Sequence, residues 1–187
     1  MLRALLFDWG DTVMQVLPYP GPMSRWPKVA AMPDALEALA SLHGRYRLAL
    51  ATNAADSGAD EVRRALERVG LAECFDLVLT ARELGARKPS REFYRAALEA
   101  LGCEAAEVAM VGDDYEADVL GAKSAGLFTV WIDHRSLSDA TVAYPGADRR
   151  LPGLERLPQA VAELAELATA AGDGGAAGPS HPHRGPS

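Results

Sequence analysis

The chain has little of what would mark it as a membrane, secreted or nucleic-acid-binding protein. Its opening apolar stretch, Leu2–Phe7, contains Arg3 and acids follow it. It is far shorter than the roughly 20 residues a bilayer crossing needs, and its flanks are not those of a signal peptide. Basic residues are outnumbered, 19 Lys and Arg against 26 Asp and Glu, for a net charge of -7. That balance argues against the basic face a phosphate-neutralising, nucleic-acid-binding protein needs. The two cysteines, Cys74 and Cys103, stand far apart with no His or Cys at metal-ligand spacing. They are expected to be small buried or half-buried side chains in a reducing, cytoplasmic compartment. Two of the four histidines, His181 and His183, fall in the Gly-, Pro-, Ala- and Ser-rich stretch from Gly172 onward. With almost no large apolar group, residues 172–187 are expected to form a disordered tail, leaving residues 1–171 as one domain.

What the chain does contain is an alternation. With 187 residues and 49% apolar content it can bury one sizeable core. Apolar runs predict strands at Leu2–Phe7, Tyr46–Ala51, Phe75–Leu79, Val108–Val111 and Leu127–Ile132. Helices are predicted at Pro33–Leu42, from Asp56 or Ser57 to Val69, at Ser90–Leu101, Tyr115–Ala125 and Pro158–Ala170. Several of them end at glycines (Gly44, Gly70, Gly102, Gly126), residues that favour helix C-termini. Val13–Met32, with Pro18, Pro20, Pro22 and Pro27, has no clear period and is expected to be loop. Strands alternating with helices imply parallel pairing and right-handed crossovers. The expected fold is α/β, a three-layer sandwich around a parallel sheet.

In such a sheet, ligands bind beyond the carboxyl ends of the strands. Past the first predicted strand stand Asp8, Trp9, Gly10, Asp11 and Thr12, and past the second Thr52 and Asn53. Past the fourth come Gly112, Asp113 and Asp114, with Asp118 in the next helical turn, and Arg87-Lys88-Pro89 follows the third. Carboxylates converging on one point repel unless a cation joins them, and hard oxygen donors of this kind select Mg²⁺. The cation neutralises and orients a phosphoryl group. A free carboxylate can attack phosphorus, while a lysine, a hydroxyl and turn N–H groups hold the remaining oxygens. The set suits phosphoryl transfer.

The segments FDWGDT (Phe7–Thr12), ATNA (Ala51–Ala54), RKPSREFY (Arg87–Tyr94) and VGDDYEAD (Val111–Asp118) resemble, in order, the four motifs of the haloacid dehalogenase superfamily. The likeness spans about Leu2–Leu157 and includes a closing segment at Gly146-Ala147-Asp148. It implies a Rossmann-type sandwich and a Mg²⁺-dependent phosphohydrolase that forms an aspartyl-phosphate on Asp8. By the same resemblance, Gly10 lends a backbone carbonyl to the metal, and Thr52, with Asn53 beside it, binds the phosphoryl group. Lys88 pairs with nucleophile and phosphoryl group. Asp113 binds metal, and Asp118 is the second acid of that motif, with Asp114 as its competitor.

Two departures stand out. The family's phosphatases carry an acid two residues after the nucleophile, which protonates the leaving group and then activates water. Here that position is Gly10. Asp11, one residue later, is either a catalytic substitute or a turn-stabilising acid. Losing a general acid typically lowers rate by ~10²–10⁴. The second departure is the cap that most relatives insert. Asp8 and Thr52 lie 44 positions apart, Thr52 and Lys88 only 36, which leaves no room for a full one. Val16–Lys28, with Tyr19 and Trp26, is expected to be a surface loop or else a small lid. An open site suits a phosphorylated small molecule, a bulkier phosphorylated substrate, or a partner subunit that closes it. Two other functions remain open. One is a catalytically weak or inactive relative that binds a phosphorylated partner. The other is a metal-free dehalogenase, against which the Asp113 and Asp118 spacing argues.

Overall fold

The computed structural model describes residues 1–135 and 144–173, with side chains described as far as residue 170. Among these residues, six strands form one sheet: β1 (Ala4–Phe7), β2 (Arg47–Thr52), β3 (Leu77–Thr80), β4 (Val108–Gly112), β5 (Phe128–Ile132) and β6 (Arg149–Leu151). Their order is β3-β2-β1-β4-β5-β6 and every neighbouring pair is parallel. Side chains alternate across β1. Leu5 and Phe7 enter a core with α1 (Ala35–Leu42), α2 (Ala59–Glu67) and α6 (Leu157–Asp173). Ala4 and Leu6 enter a second core with α4 (Arg91–Leu101) on the opposite face. Apolar residues on both faces of one strand require cover on both sides, and the result is the expected three-layer sandwich.

The chain builds β1, β2 and β3 in one direction and then returns β4 to the other side of β1. At that reversal the loops diverge and leave a crevice at the carboxyl ends of β1 and β4. Register places Phe7 beside Val111, and the Asp8 N–H donates to the Val111 carbonyl at 2.9 Å. Asp8 and the start of the Asp113 loop therefore leave the sheet side by side.

Several local expectations are corrected. β6 was not foreseen because two of its three residues are arginines, which carry no apolar signature. The one-turn helix α3 (Ala81–Leu84) is too short to show a period. Pro33 lies outside α1, whose N-cap is Asp34 in a left-handed conformation (φ 61°). Neither Asp56 nor Ser57 caps α2. Gly58 stands at that N-cap, and the Ala59 N–H donates instead to Glu83 Oε1 at 2.9 Å. This partner comes from a residue 24 positions away, which local sequence could not show, while Glu61 Oε2 accepts the Gly58 N–H locally at 3.4 Å. The predicted helix Tyr115–Ala125 opens as a π-helical turn, Tyr115–Leu120, before α5 (Gly121–Ser124). The last helix continues to Asp173, and residues 174–187, with His181 and His183, lie outside the described residues. No helix among the described residues is long and apolar enough to cross a membrane.

Candidate active site

The turn after β1 is tightly wired. The Val13 and Met14 N–H groups both donate to the Trp9 carbonyl, at 3.0 and 2.9 Å. Asp11 adopts φ 51°, a conformation Asp tolerates because its short side chain bonds locally. Its Oδ1 accepts the Val16 N–H at 2.8 Å, its N–H donates to the Met14 carbonyl, and its own carbonyl lies 2.6 Å from His134 Nε2. Asp11 is thus held in the turn, while Asp8 projects into the crevice.

Lys88 reaches the same point from the loop before α4. It is buried, and its Nζ donates to Asp8 Oδ1 and Asp118 Oδ1, both at 2.6 Å. Asn53 fixes its backbone at two points: the Asn53 Nδ2 donates to the Lys88 carbonyl and the Lys88 N–H donates to Asn53 Oδ1, each at 2.9 Å. Asn53, expected beside Thr52 as a substrate contact, lines the cleft and also sets the position of Lys88.

Asp118 arrives through the π-helical turn. Asp114 caps that turn, its Oδ1 accepting the Glu116 and Ala117 N–H groups at 2.9 Å. The Gly121 N–H reaches back to the Glu116 carbonyl, and the Tyr94 hydroxyl takes the Ala117 carbonyl at 2.6 Å. The widened turn brings Asp118 so close to β4 that a Cβ at Gly112 would lie 2.2 Å from Asp118 Oδ2. Only glycine fits there. Asp113 is oriented from both ends, Thr12 Oγ1 donating to its Oδ1 at 2.9 Å and Trp131 Nε1 to its carbonyl at 3.0 Å.

Asp8, Asp113 and Asp118 can each offer a carboxylate oxygen within 4.8 Å of the others. One ammonium between two carboxylates, with a third nearby, leaves surplus negative charge in a place of restricted hydration. Burial, and secondarily the charge of Asp8, push the Asp118 carboxyl up to about 7, against the pull of Lys88. Burial and then Asp8 also raise Asp113, opposed by the Thr12 hydrogen bond. Burial works to strip the proton from Lys88, but Asp8 and Asp118 outweigh it and keep the ammonium above its ordinary range. Three hard oxygen donors at this spacing fit a divalent cation.

These groups line a cleft of about 390 Å³ with Gly10, Thr52 and Asn53; Asp11 is not among its lining residues. Val16, Gly21, Met23 and Trp26 form one wall. The segment that carries them is closed at its neck, where the Gln15 N–H meets the Ala30 carbonyl and the Met32 N–H the Val13 carbonyl, both at 2.9 Å. The Arg68 guanidinium fastens it further by donating to the carbonyls of Met23, Ser24, Trp26 and Pro27. Expected to be loop, this stretch is an anchored wall of the site. The structure gives Trp131, Tyr94 and Gly112 roles as its supports. Tyr94 and Gly112 fall inside the quoted RKPSREFY and VGDDYEAD segments; Trp131 left no trace in the sequence.

Comparison with known proteins identifies the family. A family model described as haloacid dehalogenase-like hydrolase matches residues 21–126. The chain is 40% identical over 116 residues to a ribulose-1,5-bisphosphate 5-phosphatase of Halopiger xanaduensis, covering 61% of this chain and 47% of that protein. It is 43% identical over 102 residues to a phosphoserine phosphatase of Thermus thermophilus, covering 54% and 40%. The chain thus spans less than half the length of these relatives. Among solved structures, a HAD phosphatase from Thermococcus onnurineus superposes with a TM-score of 0.70 at 25% identity, covering 86% of this chain and 98% of that one.

Proposed function

Because the chain belongs to the haloacid dehalogenase-like hydrolases, we propose that it is a cytoplasmic, Mg²⁺-dependent phosphohydrolase that cleaves a phosphate monoester through an aspartyl-phosphate on Asp8. The observation that carries this reading is the meeting of Asp8, Lys88 and Asp118 at 2.6 Å contacts, with Asp113 alongside. Asp8, Asp113 and Asp118, with the carbonyl of Gly10, would hold the Mg²⁺, which supplies charge neutralisation to a phosphoryl group. Lys88 Nζ, already on Asp8, is placed to hold a phosphoryl oxygen as well, and Thr52 offers a second donor from the end of β2. Asp8 attacks phosphorus, an O–P bond forms, and the electron pair of the breaking ester bond goes to the leaving oxygen. Water then attacks the aspartyl-phosphate, freeing inorganic phosphate and restoring the carboxylate.

The reading predicts EDTA-sensitive hydrolysis of p-nitrophenyl phosphate, lost in Asp8→Asn while the variant keeps its melting temperature. Undiminished turnover in Asp8→Asn would overturn it.

One observation favours a slower variant of this function. Gly10 stands where the family's acid belongs, and Asp11 gives its carboxylate to Val16. The alternative is a weak or inactive relative that binds a phosphorylated partner. Restoring the acid separates the two, but a Cβ at Gly10 would lie 2.8 Å from Val16 Cγ2, so the substitution needs room. Gly10→Asp with Val16→Ala is expected to exceed Val16→Ala alone by about 10² in kcat on an alkyl phosphate. No gain would mean that the native site already has its proton donor.

A further inference from the structure

Resting on the phosphohydrolase reading above, we infer that the cleft selects monoesters of an uncharged aromatic alcohol and rejects those with a second anionic group. Two observations meet in this.

The first is charge. Five aspartates line the cleft (Asp8, Asp56, Asp113, Asp114 and Asp118), against one cationic side chain, Lys88. Lys88 is already shared by Asp8 and Asp118. A divalent cation would serve the phosphoryl group being transferred. Among the described residues, nothing cationic lines the cleft to receive a carboxylate or a second phosphate on the leaving part. Exposed Asp56 and Asp114 would repel it. Apolar Val16, Met23 and Trp26 line the same cleft. The Trp26 indole is fixed, its Nε1 donating to the Gly21 carbonyl at 2.8 Å and its ring packed edge-on against Tyr19, with centroids 5.8 Å apart. An aromatic ring meets such a wall at little cost in entropy.

The second is proton supply. Gly10 has no side chain, and the Asp11 carboxylate is bonded to the Val16 N–H. When the ester bond breaks, its electron pair goes to the leaving oxygen. An aliphatic alkoxide needs a proton at that moment, whereas a phenoxide, with a conjugate acid near 10, departs as the anion and takes its proton from bulk water. A site without a general acid and with an aromatic wall therefore favours the same class of leaving group twice over.

The test is a comparison of kcat/KM, with Mg²⁺, for phenyl phosphate, cyclohexyl phosphate and a phosphorylated hydroxy acid. Phenyl phosphate is expected to exceed cyclohexyl phosphate, of similar size and charge, by at least tenfold, and the carboxylated ester by more. Trp26→Ala is expected to lower the ratio of phenyl to acetyl phosphate turnover, and Trp26→Phe to retain more of it. Asp56→Lys is expected to raise the carboxylated ester relative to phenyl phosphate. If the carboxylated ester is turned over as well as phenyl phosphate, the selectivity inference falls while the phosphohydrolase stands. If p-nitrophenyl phosphate itself is untouched, both fall.

Discussion

Two ion clusters stand at the carboxyl edge of the same sheet with opposite balance. Beyond β1 and β4, one buried ammonium, Lys88, serves two carboxylates, Asp8 and Asp118. Beyond β5, one buried carboxylate, Asp133, serves two guanidiniums, Arg135 and Arg150, at 2.9 and 2.7 Å. Burial would raise the proton affinity of Asp133, but the hydrogen bonds from Arg135 and Arg150 prevail and hold it below the ordinary carboxylate range. Asp118, equally buried, goes the other way. The Asp133 cluster is complete from the protein's own groups. The Lys88 cluster is short of positive charge and is suited to take a cation from outside. The two are also joined: the Arg135 and Arg150 guanidiniums lie 5.1 and 5.3 Å from the Trp131 ring centroid, and Trp131 holds the Asp113 carbonyl. The self-sufficient cluster is a buttress for the needy one.

The comparison can be broken most severely at Lys88. Lys88→Met leaves buried Asp118 facing half-buried Asp8 without the ammonium between them, and kcat is expected to fall on the order of 10²–10³, with stability lower by roughly 3–5 kcal/mol in EDTA. A wild-type rate in that variant would remove Lys88 from the reaction. Gly112→Ala, which crowds Asp118 without altering charge, is expected to weaken Mg²⁺ binding about 10–100-fold, as read by calorimetry. Unchanged affinity would show that Asp118 is not a ligand.

The two central acids should then respond differently to neutralisation. At pH 6 in EDTA, Asp133→Asn is expected to lower stability by about 1–3 kcal/mol, because the arginines lose their shared negative charge and one of its two acceptor oxygens. Asp118→Asn should change the melting temperature much less, since burial already favours the protonated carboxyl. Equal losses would erase the distinction. The smallest effect is on pH. A carboxyl raised in the folded state contributes stability that is present below its unfolded value near 3.8 and lost as pH rises toward about 7. In EDTA, therefore, wild type should lose stability relative to Asp118→Asn across pH 4–7. Mg²⁺ should reverse that trend. A wild type that instead gains stability relative to Asp118→Asn as pH rises would contradict the raised carboxyl.

The architecture was largely legible because continuous apolar runs, glycine stops and strand-helix alternation are local signals. The gathering of Asp8, Lys88, Asp113 and Asp118 at one rim follows from where each stands after its strand, directly or by way of a turn or loop, whereas Asp11, one of the candidates, is not among the residues lining the cleft. What sequence could not show depends on distant partners or crowded backbones. Nothing beside Thr52 shows that Asn53 also holds the Lys88 backbone, 35 residues on. The Ala59 N–H at the start of α2 finds its acceptor in Glu83. Trp131 occupies an ordinary strand position, and nothing in its spacing reveals the Asp113 carbonyl at the end of its ring. The π-helical turn hides inside a normal helical pattern, marked only by the glycines at 112 and 121 that allow its close approach.

The grip of Arg68 on the carbonyls of Met23, Ser24, Trp26 and Pro27 has a kinetic consequence. An arginine at the end of α2 ties this wall of the cleft in place without a hinge. For the proposed phosphohydrolase, bond-breaking rather than a gating motion is expected to set the pace, and thickening the solvent with sucrose should leave the maximal rate nearly flat.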